Sequence, residues 1–263
     1  MDFRHQKAAM FVAHPGHVLR AFHWMEIAKP VVFVMTDGSG PDQPARLPST
    51  TTLLDKVGAR QGAIYGRWTD AQVYEAILNR DGGRFVAATR EFADALVAEE
   101  VDYVVGDAAE GYQCTHELCR YVVNSAIALV EKETGRRIAN YGFLLFGPPD
   151  ACPEELRDRA IRVDLGAAAM DRKIAAAESY SPDFTHEVTQ QVEKYGREPF
   201  KVEYLLPVDA DRDYNVTKPL YEVYGELQVI SGKYKNVIRY SDHFEPLVDE
   251  LRARLGLCPA AVE

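Results

Sequence analysis

No apolar run in the 263 residues is long enough to cross a bilayer, which excludes a helical membrane span. Cysteine is scarce. The four residues Cys114, Cys119, Cys152 and Cys258 form no C-x-x-C pair, so a cysteine zinc knuckle is excluded and reduced thiols are the expectation. Positive charge is in deficit, with 30 Lys and Arg against 40 Asp and Glu and a net charge of −10. Such a surface repels phosphate backbones and argues against a nucleic-acid partner. The N-terminus reads Met1-Asp2-Phe3-Arg4-His5-Gln6-Lys7, and only a short apolar run follows, which is not the make-up of a signal peptide. Internal repeats and low-complexity stretches are also missing. Together these absences point to a cytoplasmic protein that acts on a small molecule, without a membrane partner.

What is present is an ordinary packed-core composition, 47% hydrophobic, arranged as alternating short apolar runs and amphipathic stretches. Residues 8–13 read as a buried strand that stops at His14-Pro15-Gly16. Residues 18–29 read as a helix ended by Pro30, and 31–35 as a second buried strand that stops at Thr36-Asp37-Gly38. After a Pro-rich loop at 41–49, a helix is expected at 50–57 and a short strand at 62–66. A strong amphipathic helix follows at 85–99, then a strand at 101–105. A long helix at 116–134, capped by Thr115, and a strand at 137–146 complete the series. Strands that alternate with helices and are apolar throughout predict an α/β fold, a Rossmann-like and mostly parallel sheet with helices on both faces. Residues 1–150 form this core. Residues 151–263 are read as a mixed C-terminal extension that completes or covers the same domain, mainly helical at 154–179, with a strand at 200–207 and a helix at 244–255.

Open parallel sheets bind ligands at the carboxyl ends of their strands. His14 and His17 follow the first strand there, and Asp37 follows the second. Asp107, Glu110 and His116 follow the strand at 101–105. Two imidazoles three positions apart across a Pro-Gly turn can converge on one ion, and imidazole suits zinc, iron, nickel and copper. The same histidines also read as caps or core residues satisfied by hydrogen bonds. Arg20, one turn after His17, and Tyr112, in the loop before His116, are candidate substrate contacts. So is His243, beside Arg239 and Tyr240 at a helix start. His23 reads as structural. Cys114 and Cys119 flank His116, but Cys119 falls a turn into the helix, which weakens them as soft ligands.

Ala13-His14-Pro15-Gly16-His17 after an apolar strand resembles the AHPDD(E) signature of the PIG-L/LmbE-like metal-dependent deacetylases. Val34-Met35-Thr36-Asp37-Gly38 is similar to that family's second strand and T-x-G turn. The stretch from Val101 to His116, leading into Leu118-Cys119-Arg120, resembles its unit of strand, loop, H-x-x-H and helix. Met170-Asp171-Arg172-Lys173-Ile174-Ala175-Ala176-Ala177 resembles its later K-x-x-A helix. The resemblance covers roughly residues 7–180. It implies one divalent metal, zinc first and iron as the alternative, held by His14, His17 and His116, with His17 standing where the family has a ligand Asp. It also implies hydrolysis of an amide C–N bond in a small polar N-acyl amine or amino sugar.

Two positions depart from the pattern. Gly16 stands where the family has its general base, and Gln113 stands where it has the histidine that assists the tetrahedral intermediate. Gly16 cannot take a proton. Gln113 can donate to an oxyanion but cannot act as an acid. Losing a general base costs about two to four orders of magnitude in rate. Glu110 is the first candidate to replace it, with Asp107 and Asp37 behind. Asp37 also reads as a residue that orients the turn or a ligating imidazole. Three functions follow: a metal-dependent hydrolase, an iron enzyme of redox or lyase chemistry on the same fold, and a non-catalytic metal or ligand binder. The sequence leaves room for a homo-oligomer.

Overall fold

The computed structural model describes residues 3–39, 44–209 and 218–257. Cys258 and residues 40–43 of the Pro-rich loop lie outside these. Seven strands form one sheet: β1 (Ala8–Val12), β2 (Val31–Thr36), β3 (Arg60–Trp68), β4 (Tyr103–Asp107), β5 (Ala139–Phe143), β6 (Ile161–Asp164) and β7 (Val202–Pro207), in the spatial order β3-β2-β1-β4-β5-β7-β6. From β3 to β5 every pairing is parallel. β7 joins β5 antiparallel, and β6 joins β7 antiparallel. The architecture is the expected α/β sheet, mostly parallel, with a mixed C-terminal side.

All five residues of β1 and all six of β2 are buried, because both faces of the sheet are covered. Alternate side chains enter different cores. Ala9 and Phe11 pack under α3 (Asp70–Leu78), α4 (Gly83–Ala98), α5 (Cys114–Thr134) and α9 (Glu245–Arg254). Met10 and Val12 pack under α1 (Phe22–Ala28), α2 (Leu47–Val57) and α6 (Ala167–Glu178). Two further helices, α7 (Pro182–Tyr195) and α8 (Leu220–Ile230), lie among the C-terminal elements.

Several elements differ from the sequence reading. The first helix begins as a 3-10 turn over Pro15–Ala21 and becomes α-helical only at Phe22. The stretch 154–179 is not one helix. Ile161-Arg162-Val163-Asp164 alternates between inward and outward positions and forms the edge strand β6. α5 starts at Cys114, and its cap is Gln113, not Thr115. The Gln113 side-chain carbonyl accepts from the N–H groups of Thr115 and His116 at 2.5 and 3.1 Å. The Thr115 hydroxyl is buried with no hydrogen-bond partner among the described residues. α3 had no counterpart in the reading, although Thr69 and Gln72 form a capping box at its start.

The chain runs outward from β1 through β2 to β3, then crosses back to β4 beside β1. The crevice at the carboxyl ends of β1 and β4 is therefore the topological switch point, where open α/β sheets bind ligands.

Candidate metal centre

β1 delivers Ala13 and His14 to this crevice, and β4 delivers Asp107. The two strand ends are joined by one hydrogen bond, from Ala13 N–H to Asp107 Oδ2 at 2.8 Å. The turn after β1 closes with His17 N–H donating to the His14 carbonyl at 3.2 Å. Gly16 does not adopt a left-handed backbone there. Its use is space, since it lines the cavity beside His17. The left-handed conformation falls instead at Gly38, where a Cβ would meet Pro15 Cδ at 2.8 Å. That glycine lets the β2 turn press against the His14-Pro15 turn.

His116 arrives from the first turn of α5. The three imidazoles converge, with ring centroids 5.0 Å apart for His14 and His17, 5.1 Å for His14 and His116, and 4.5 Å for His17 and His116. One ligand atom from each lies within 4.8 Å of the others. Partners fix the tautomers. Thr36 donates its hydroxyl to the Ala13 carbonyl at 3.0 Å, so its oxygen accepts from His14 Nδ1 at 2.8 Å. Asp70 Oδ1 lies 3.1 Å from the same nitrogen but without the alignment of a full hydrogen bond. Asp107 Oδ2 accepts from His17 Nδ1 at 2.9 Å. Both rings therefore carry their proton on Nδ1 and present Nε2 as the lone-pair nitrogen, which at His14 lies 3.5 Å from Gln113 Nε2.

Burial sets the protonation. It pushes the His116 pKa well below the ordinary value, and the neighbouring His17 and His14 push the same way. Burial also lowers His14, against the raising effect of Asp70. Neutral imidazoles are the ligand form. Three oriented nitrogen donors in a crevice fit a divalent ion of the zinc or iron type. The cysteines do not join them. Burial raises the Cys114 thiol to about 12 and the Cys119 thiol well above its ordinary value, and neither sulfur belongs to the three-histidine cluster.

The other candidates sort by position. Gln113 uses its oxygen as the α5 cap, and its Nε2 lies 3.5 Å from His14 Nε2, at the metal face. The Glu110 carboxylate does not reach toward the histidines with a free oxygen. It accepts from the N–H groups of Leu145 at 2.7 Å and Phe146 at 3.1 Å. Burial raises its pKa, against those two hydrogen bonds and the Arg20 charge. Asp37 accepts from its own turn, from Ser39 N–H at 2.9 Å and Ser39 Oγ at 2.6 Å. Asp107 holds His17 through Oδ2, and its Oδ1 is buried with no hydrogen-bond partner among the described residues.

A cavity of about 520 Å³ opens over the centre, lined among others by His17, His116, Arg20, Tyr112, Phe146 and Lys194. Arg20 donates from Nε to the Leu144 carbonyl at 2.7 Å and from Nη2 to the Pro148 carbonyl at 3.1 Å. His243 does not line the cavity. Its Nδ1 accepts from Arg239 N–H at 3.0 Å within its own turn. His23 pairs with Glu26 at 2.6 Å.

Asp70, Phe146 and Glu203 also matter here and stood out in no motif read for the site; Thr36 and Lys173 fell within the T-x-G and K-x-x-A stretches but were given no role there. The Thr69–Gln72 capping box would have placed Asp70 in the first turn of a helix after β3, at the same end of the sheet. Lys173 and Glu203 form a buried ion pair at 2.8 Å, and Lys173 also donates to the Arg20 carbonyl at 2.8 Å.

Fold and cluster together define an α/β protein with three converging histidines, a candidate cation site, at the switch point of its sheet. No family model matches the chain, and no curated protein matches it. Among solved structures it is similar to the A40926 pseudoaglycone deacetylase Dbv21, at 18% identity and a TM-score of 0.48 over 79% of this chain and 99% of that one. It is also similar to a deacetylase in the biosynthesis pathway of teicoplanin, at 14% identity and a TM-score of 0.49 over 78% and 100%. A third is the conserved protein TT1542 from Thermus thermophilus, at 14% identity and a TM-score of 0.46 over 77% and 93%. The first two are described as deacetylases, the class that the His14-to-His17 signature resembles. At these identities and scores the likeness assigns no residue a role.

Proposed function

We propose that the chain is a metal-dependent hydrolase of the deacetylase type, cleaving the amide C–N bond of a small N-acyl amine or amino sugar. The observation that carries this reading is the convergence of His14, His17 and His116, with two tautomers fixed by Thr36 and Asp107, beside an open cavity that His17 and His116 line. The ion is proposed to be zinc. A divalent ion held by three neutral imidazoles supplies Lewis acidity and brings the pKa of water toward about 7.

The protein's own groups then have separate tasks. His14, His17 and His116 hold the ion. Thr36 and Asp70 fix the His14 ring, and Asp107 fixes the His17 ring. Gln113 Nε2, with its oxygen locked into the α5 cap, is a pre-oriented N–H donor for the oxygen on which charge develops. Proton acceptance is the weak point of the site, because Gly16 has no side chain and Glu110 faces the 145–146 backbone. That gap favours a second reading, in which the same donors hold iron for redox or lyase chemistry.

Acetate release from a panel of N-acetyl amines by zinc-loaded protein tests the first reading, and Gln113→Ala is expected to lower kcat by about 10²-fold. Stoichiometric metal without release from any amide contradicts it. Iron with oxygen-dependent turnover supports the second reading, and tight ligand binding without turnover indicates a binding protein.

A further inference from the structure

Two aromatic rings stand at the mouth of the cavity. Tyr112 is 45% exposed and Phe146 is 57% exposed. They come from different loops, after β4 and after β5, yet they stack on each other with centroids 5.2 Å apart and planes at 30°. The Tyr112 ring also lies 6.3 Å from the ring of His116. Both line the cavity that His17 and His116 also line. A stacked aromatic pair left open to water beside a cavity presents a flat apolar surface that a ligand can cover.

The loops that carry the rings are built, not loose. Glu117, next to His116 on α5, accepts from the N–H groups of Glu110 and Gly111 at 2.8 and 2.7 Å. Gly111 takes a left-handed backbone to make that turn, with φ +66°. The Glu110 carboxylate then reaches across to the N–H groups of Leu145 and Phe146. Arg20, one turn after His17, holds the carbonyls of Leu144 and Pro148. The loop after β5 is thus gripped by its N–H groups through Glu110 and by its carbonyls through Arg20. Both gripping residues sit close in the chain to metal-centre histidines, so the rings keep a fixed place over the centre.

We propose that Tyr112 and Phe146 form a platform for a substrate whose amide nitrogen is carried on a ring with a flat C–H or π face, and that Glu110 and Arg20 are positioning residues for it. The amide part rests on the reading under Proposed function; the ring preference stands on the platform geometry. Hydrophobic and CH–π contact from two stacked rings favours a flat ring over an open chain of similar polarity.

Calorimetric binding to zinc-loaded protein tests this with three probes: N-acetylglucosamine for a sugar ring, acetanilide for an aryl ring, and N-acetylethanolamine for an open chain. At least one ring probe is expected to bind about tenfold or more tighter than the open chain. Whichever ring prevails identifies the source of the flat face. The advantage is expected to shrink to less than about threefold in Phe146→Ala and in Tyr112→Ala, with metal content unchanged. Glu110→Ala is expected to lose it as well, and Glu110→Gln, which keeps an acceptor for the loop, to restore most of it. Equal binding of all three probes overturns the proposal, as does failure of both rings to bind or a ring advantage that survives both aromatic variants. A ring advantage without acetate release sinks the hydrolase reading and leaves the platform standing.

Discussion

At the level of single residues, the site divides into groups that carry chemistry and groups that orient them. His14, His17 and His116 were singled out in the sequence by the turn after the first strand and by the resemblance of the AHPGH and 101–116 stretches, and the fold brings them together. Their supports were less legible. Asp107 was visible as a carboxylate, but its bond to His17 depends on β4 lying beside β1. Thr36 was visible as the first residue of the T-x-G turn, but not as the partner of His14. Asp107→Asn keeps the shape and removes the carboxylate that fixes the His17 tautomer. It is expected to weaken metal affinity about 10- to 100-fold, measured by competition with a chromophoric chelator. Gly16 offers a gain-of-function test. Its backbone is not left-handed, so an L side chain is tolerated conformationally, and it faces the cavity. Gly16→Asp supplies the missing proton acceptor and is expected to raise kcat/KM for amide cleavage by about 10²-fold or more. An unchanged or lower rate would mean that proton acceptance does not limit this site.

Among the elements, the strands of the parallel core were the most readable, since each is a continuous apolar run with both faces buried. Short edge elements were not. β6 has one fully buried residue, Val163, so its pattern was swamped by the helical stretches around it. The start of α1 was also hidden, because its support comes from across the fold. The Glu203 carboxylate, on β7, accepts from the N–H groups of His23 and Trp24 at 2.9 and 2.8 Å, acting as a remote cap. It also pairs with Lys173, and both side chains are almost fully buried, at 1% and 7% exposure. Removing one partner strands the other charge. Glu203→Ala is therefore expected to cost about 3–5 kcal/mol in urea unfolding. The double variant Lys173→Met with Glu203→Ala is expected to recover part of that loss, because no unpaired ammonium remains. Additive losses would show that the ion pair is not coupled as the geometry demands.

For the whole molecule, topology brings the chemistry together. The reversal of strand order between β3 and β4 sets β1 beside β4, and residues about a hundred positions apart meet at one crevice. The alternation of strands and helices pointed to one shared carboxyl edge, but not to this strand order. The aromatic mouth was not legible either, since it depends on two loops whose conformations are fixed by Glu110, Glu117 and Arg20 and not by any local pattern. An ion bound only by the folded state links metal to stability. Zinc at about a hundred times its dissociation constant adds about 2.7 kcal/mol. For a chain of this size that corresponds to a rise of roughly 5–10 °C in Tm. The rise should appear on adding zinc to chelator-treated protein and be absent in His14→Ala.

The central claim is that His14, His17 and His116 together hold one divalent ion. Elemental analysis of the purified native protein beside His14→Ala and His116→Ala tests it most directly. The account predicts close to one zinc or iron per chain in the native protein and almost none in either variant. Full metal occupancy retained in both variants would contradict it.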